Sequence, residues 1–258
     1  MQQAYYSTWD EGRMHGSQST WHRVGGKLTG PPDVGAGTSN RPRNSRQLPV
    51  VVASGPGQAW SWDITELKST YSRITFKMYS VIDIFSRYRI ASRVEFDSAG
   101  CHAVEMFTEA IAREGAPRVI HSDNGGTMKS TALMNLFDEH GIGASNSRPY
   151  VSNDNPYSEA EFSTMKSRSS YPEYFESLQN AREFDHAYTV WANNQQYHSG
   201  VAHFTPSQVH FGTWRTVWAR REATLQRYYE SHPERFRAKP KTPSPPATVG
   251  INHLVQTA

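Results

Sequence analysis

Three successive segments whose apolar residues recur at every second position constrain the fold of this chain more than any other feature. Trp60, Trp62 and Ile64 alternate with Ser61, Asp63 and Thr65; Ile74, Phe76 and Met78 continue the pattern into SVIDIF; and YRIASRV follows the turn residues SRY. A two-residue period belongs to a strand with one apolar face, and three such strands with short connections predict an antiparallel meander. On the first strand Asp63 points away from the tryptophans. The period then changes. Ala103, Phe107, Ala110 and Ile111 recur at helical spacing until Gly115 and Pro117 stop the helix, and RVIHSD reads as a short buried strand that ends at Asp123. A second helix carries Leu133, Met134, Leu136 and Phe137 and closes at Gly141, a short strand covers 142–146, a helix follows NDNP, and a long helix carries Phe184, Tyr188 and Trp191. Strands first, then alternating helices and strands, predict a mixed α/β sheet flanked by helices.

The flanks read differently. Residues 1–50 contain seven Gly and four Pro and hold no sustained period, which predicts a loose basic arm with at most a short helix over 17–24. The folded body is expected over 51–213, and 214–258 as a basic helix and tail, the tail starting at TPSPPATVG. Between Trp214 and Lys241 eight basic residues face three acidic ones, a bias that suits a phosphate backbone. No apolar run approaches the length of a membrane span and the N-terminus has no signal pattern, so a soluble cytoplasmic protein is expected. The single Cys101 excludes an intrachain disulfide and any zinc site built on several cysteines.

Chemistry, if present, rests on acids. Asp123 ends a strand, where ligands collect in open sheets, but the DNGG that it begins is also a turn sequence. Asp63 on the open face of a strand can equally be solvated. In NDNPYSEAEF, Asp154 precedes Pro156 and reads as a helix cap. Glu159 and Glu161 lie about 200° apart around a helix, so only one of them can face a given site. Lys166, two turns after Glu159 and on its face, suits a phosphate contact. Asp83 reads as a turn or strand-edge residue, and His121 as a packed, hydrogen-bonded histidine.

The segments WSWDIT, VIDIFSRY, HSDNGG, SRPYVSNDNPYSEAEF and NNQQYHSGVAHFTPSQVHFG, in this order, resemble the catalytic subunit of insertion-sequence transposases of the IS3 type, members of the retroviral-integrase-like superfamily. The resemblance covers about 57–213. It implies an RNase H-like fold, a mixed five-stranded sheet flanked by helices, and a D, D, E triad with 35 residues between its last two acids. Residues 124–158 supply that interval between Asp123 and Glu159, and Asp63 matches the first acid. It further implies Mg²⁺ or Mn²⁺, two ions held by Asp63, Asp123 and Glu159, and metal-dependent cleavage and strand transfer of a mobile element's DNA. Carboxylates are the hard oxygen donors such ions prefer. DNA contacts are implied for Lys166, Asn124, Arg148 and His198. So are a homo-oligomer on DNA ends and target, a bacterial, nucleoid-associated location, and a helix-turn-helix region or separate upstream-frame partner protein. That region is not intact here: SQSTWHRV resembles only the end of one, and 1–50 reads as its remnant. An RNase H-like nuclease and an inactive transposase-derived DNA-binding protein are the alternatives.

Overall fold

A computed structural model describes residues 2–25, 50–148 and 154–252. The meander forms as expected: β2 (Ala59–Lys68), β3 (Thr75–Asp83) and β4 (Arg89–Glu95) are antiparallel neighbours, the first two being in register from Trp60↔Asp83 to Lys68↔Thr75. Helix α3 (Gly100–Glu114) ends at Gly115, whose φ of +82° is open to glycine and costly for other residues. The chain then adds β5 (Val119–Ser122), α4 (Thr131–Glu139) and β6 (Gly143–Asn146). Both of these strands are parallel additions, which gives the sheet order β4-β3-β2-β5-β6. Helix α5 (Pro156–Lys166) and α6 (Leu178–Asn194) complete the layer opposite α3 and α4. This is an RNase H-like fold.

Because β2 is central, its period of two separates two covered faces. Trp60 and Trp62 lie under α3 and α4 with Phe107, Leu133 and Phe137, the Trp62 ring edge-on to Phe107 at 5.2 Å. Leu67 and Met78 lie on the other side with Phe162, Met165 and Tyr188. Tyr188 is thus a core residue, and Trp191 packs at the edge of the same cluster with the Arg168 guanidinium 3.3 Å above its ring.

The flanks depart from the sequence reading in two places. Residues 2–10 form a helix, α1 (Gln2–Asp10), where a loose arm was expected, and α2 (Gln18–Gly25) matches the short helix expected over 17–24. Tyr5, Tyr6 and Trp9, on one side of α1, are buried with Leu225 of α8 (Trp214–Ser231). The partner surface lies more than 200 residues downstream, so no local period announces it. The glycine-rich stretch 26–49 lies outside the described residues. The tail is also pinned: after α7 (Pro206–His210) and α8, β7 (Val249–Ile251) pairs antiparallel with β1 (Val51–Ala53), and both strands bury apolar residues against Ile84 and Ala59. Among the described residues no helix is long and apolar enough to cross a membrane.

Candidate active site

Asp63 lies on β2 and Asp123 one residue past the end of the adjacent parallel strand β5. The register pairs Trp62 with Ser122, and each acid is the next residue along its strand direction. Neighbouring strands run about 4.8 Å apart and paired residues share a face, so both carboxylates leave the sheet on the side of α5.

Helix α5 is fixed to that face at both ends. At its start Ser61 donates to the Asn155 side-chain carbonyl at 2.5 Å, Asn155 donates to the Trp62 carbonyl at 3.2 Å, and the Ser61 and Ser158 hydroxyls meet at 2.8 Å. At its end the Lys166 ammonium donates to Thr65 Oγ1 at 2.6 Å. Ser158 to Lys166 spans about 12 Å of helix and Ser61 to Thr65 about 13 Å of strand. Helix and strand therefore run side by side, and the contact line of Ser61 and Thr65 has Asp63 at its centre. Ser61 and Thr65 share the face of Asp63 by the same alternation that hides the tryptophans, so the signal for these two anchors is present in the sequence although sequence reasoning missed them.

Glu159 enters from the first turn of α5. Burial raises its carboxyl above the usual range, with Asp123 adding to the effect. Burial also pushes Asp63 up to about 7, against the lowering effect of the Ile64 N–H, with Asp123 and Glu159 contributing further. The Ile64 N–H donates to Asp63 Oδ1 at 2.8 Å. Asp123 accepts from the Ser147 hydroxyl at 2.7 Å. Among the described residues none of the three acids forms an ion pair, and no three His, Cys, Asp or Glu side chains are already drawn together at metal-ligand distances.

The neighbouring acids contrast with these. Glu161, turned toward β3, lies 2.7 Å from Arg89 Nε and accepts from Ser80 at 2.7 Å; Arg89 Nη1 also holds Asp185 at 2.6 Å, with Ser80, Arg89 and Asp185 buried and Glu161 partly so. Asp154 is not the helix cap that the sequence reading made it. Asn155 holds the cap position without a capping side-chain bond, and the Asp154 carboxylate takes the backbone N–H and guanidinium of Arg148 at 2.9–3.0 Å, which keeps its pKa low. Asp83 organises the turn after β3, accepting from the Gly57 and Ser86 N–H groups and the Ser86 hydroxyl, each at 2.7 Å. His121 is packed, its Nε2 donating to the Asp154 carbonyl at 2.7 Å and Nδ1 meeting Ser145 at 3.0 Å, and burial lowers its pKa.

The residues expected to contact DNA divide by position. Lys166 lies close enough to Asp63 for the two charges to interact, and burial lowers its pKa. Asn124 adjoins Asp123 and donates its amide to the Ser147 carbonyl. Arg148 is engaged with Asp154. His198 is not brought to the acids: it accepts from the Gly200 N–H at 3.0 Å and lines a cavity of about 290 Å³ behind α5 with Arg87 and Tyr157, where burial lowers its pKa to about 4.

Residues 53–152 match the family model described as Integrase core domain, a segment that holds Asp63 and Asp123 and stops short of Glu159. Relatives lead to mobile elements. The chain is 26% identical over 171 residues to a protein of insertion element IS476 from Xanthomonas euvesicatoria, covering 66% of this chain and 49% of the relative. It is also 26% identical over 156 residues to a transposase-like protein of Haemophilus influenzae, covering 60% of this chain and 71% of the other. The chain thus spans about half the length of the IS476 relative. Among solved structures, the catalytic core domain of BIV integrase aligns with 62% of this chain and 97% of its own, at 19% identity and a TM-score of 0.47. Residues 53–152 are thus similar to an integrase core domain, and the relatives named here are an insertion-element protein and a transposase-like protein.

Proposed function

We propose that the chain cuts DNA at the end of a mobile element and joins the freed 3′ hydroxyl to a second strand, with Asp63, Asp123 and Glu159 as the catalytic carboxylates. The observation that supports this most is the pattern of charge pairing. Arg148 pairs with Asp154 and Arg89 with both Glu161 and Asp185, whereas among the described residues the three acids on the α5 side of β2 have no cation paired to them. Three carboxylates without a paired cation on one side of the sheet, Asp63 and Asp123 partly buried and Glu159 exposed, suit divalent cations with oxygen preference, Mg²⁺ or Mn²⁺. Two such ions, when bound, activate an attacking oxygen and stabilise a leaving one at phosphorus.

The chain's own residues do the rest. The twin anchors at Ser61 and Thr65 hold α5 so that Glu159 faces the two aspartates. Lys166 offers a positive charge beside Asp63 for a backbone phosphate of the bound DNA. Asn124 holds the loop after Asp123 to Ser147, and in this reading it contacts a strand entering the site. We assign Arg148 to closing the loop into α5 by its grip on Asp154, and His198 to the packing behind that helix. The reading carries with it assembly as a homo-oligomer on paired DNA ends, a bacterial cytoplasmic location and end recognition by a helix-turn-helix segment or partner.

The test is a cleavage and joining assay with purified protein, Mg²⁺ and duplexes that carry the DNA flanking the gene. Glu159→Gln should abolish both steps while leaving the far-ultraviolet circular dichroism unchanged. Metal-dependent joining that persists in this variant would overturn the assignment.

A further inference from the structure

Away from the acids, the docking of α1 on α8 creates a groove of about 720 Å³. Its foundation is Arg221. This buried side chain pairs with Asp10, donates to the His203 carbonyl at 2.9 Å, and lies over the Phe204, Tyr6 and Trp9 rings at 4.2, 5.2 and 5.6 Å. Trp9 Nε1 donates in turn to the Arg221 carbonyl at 3.0 Å. The floor is therefore held at several points, with the Trp9 indole N–H committed to the scaffold.

The walls are cationic and aromatic. Arg23, Arg235 and Lys241 line the groove, all exposed, together with His15, Tyr228 and Phe236, and none of the described lining residues is an Asp or a Glu. In a chain with 24 acids against 27 Lys and Arg, a groove of this size with Lys and Arg but no acid among its described lining residues is a marked local imbalance. Arg235 has the exposed Glu234 at 3.7 Å, a weak surface pair, and also lies against the Tyr228 ring at 5.8 Å. The segment RFRAKPK, residues 235–241, adds Arg237 and Lys239, both exposed.

We propose that this groove binds single-stranded DNA, with Arg23, Arg235 and Lys241 on successive phosphates and a base against Tyr228. A cationic groove with aromatic faces is the general solution for single strands: the charges follow the backbone, and a ring accepts any base on its π-face. A duplex, with its bases stacked inside, offers no base face to Tyr228. The proposal rests on DNA as the substrate and adds a second contact surface remote in sequence from the carboxylates, suited to a strand freed beside a cut.

The experiment is fluorescence anisotropy of the full chain with a labelled single strand of a dozen thymidines and with a duplex of equal length, in EDTA so that no cleavage occurs, over a series of salt concentrations. The wild-type chain should favour the single strand. The triple variant Arg23→Ala, Arg235→Ala, Lys241→Ala should bind it more weakly, with the slope of log K against log salt smaller by about 2, at roughly 0.7 for each phosphate that is no longer neutralised. Tyr228→Ala should weaken single-strand binding by about ten-fold or more, the worth of one stacked base, with duplex binding unchanged. Since the three cations are exposed, their removal should leave the melting temperature alone, which separates binding from folding. An unchanged slope and affinity in the triple variant, or an equal loss for duplex and single strand, would overturn the proposal. If the wild-type chain still joins ends in the Mg²⁺ assay, only the groove falls; if it neither joins ends nor binds any DNA, both readings fall.

Discussion

Replacing Asp63 by Asn should stabilise the metal-free protein, and the gain should depend on pH in a defined direction. Burial raises the Asp63 pKa from 3.8 to about 7 in the folded chain. A carboxyl with a raised folded pKa holds its proton in the native state at pH values where the unfolded chain has already released it, so folding becomes less favourable as pH climbs from 3.8 to 7. Above pH 7 the accumulated cost is about 4 kcal/mol, at about 1.4 kcal/mol for each pH unit between the two pKa values. Asn keeps the oxygen that accepts from the Ile64 N–H and removes the charge. For a chain of this size about 4 kcal/mol corresponds to a rise in melting temperature on the order of 10 °C. At pH 5 the gain should shrink to under about 2 kcal/mol, and below about pH 4 it should vanish. Differential scanning calorimetry in EDTA at about pH 8, 5 and 3.5 measures all three. Added Mg²⁺ should raise the melting temperature of the wild-type chain by binding only the folded state, and raise that of the Asn variant far less. A variant no more stable than wild type at the highest pH, or one with the same gain at the highest and the middle pH, would refute the reasoning, since the first denies the cost and the second denies that ionisation causes it.

Two further outcomes follow from the buried contacts. Arg89→Met strands Glu161 and Asp185 as buried carboxylates without a cation, which should cost about 3–5 kcal/mol; urea denaturation near neutral pH measures it, and an unchanged midpoint would show that the pair is not formed. Trp9→Ala removes the ring that seals α1 to α8 and should cost about 3–5 kcal/mol locally. Hydrogen exchange would then report fast α1 amides over an unaltered sheet, and protection equal to wild type would mean that α1 does not dock through Trp9.

Where the sequence was legible, the cause was local. Alternation places Asp63 opposite Trp60 and Trp62 because neighbouring residues of one strand settle it, and the 3.6-residue turn sends Glu159 and Glu161 to different sides of α5 for the same reason. Gly115 and Gly141 stop their helices through their own backbone freedom. What stayed hidden depends on partners far along the chain. Tyr5, Tyr6 and Trp9 read as part of a loose arm until Leu225 and Arg221 cover them, and VGI reads as tail until it meets Val51–Ala53. Asp154 looked like a cap because the preference for Asp before a helix is real; the guanidinium of Arg148, six residues upstream, competes for the same carboxylate and wins, a charge-assisted pair being stronger than a bond to a neutral N–H.

The same dependence on distant partners explains why the acids could not be sorted by helical geometry alone. That geometry separates Glu159 from Glu161 without saying which does chemistry, and the interval from Asp123 chooses one only through resemblance. The pattern of charge pairing adds a physical criterion. Arg89 reaches Glu161 from a strand 72 residues earlier and Asp185 from 96 residues earlier, and turns both into elements of the scaffold. Glu159 has aspartates near it instead of an arginine, and Asp123 adds to the upward shift of its carboxyl. A fold under selection for stability alone would remove such an arrangement by one substitution to an amide. On these grounds the cost that Asp63→Asn should relieve and the activity that Glu159→Gln should abolish have one source: carboxylates on one side of a sheet that, among the described residues, no arginine pairs.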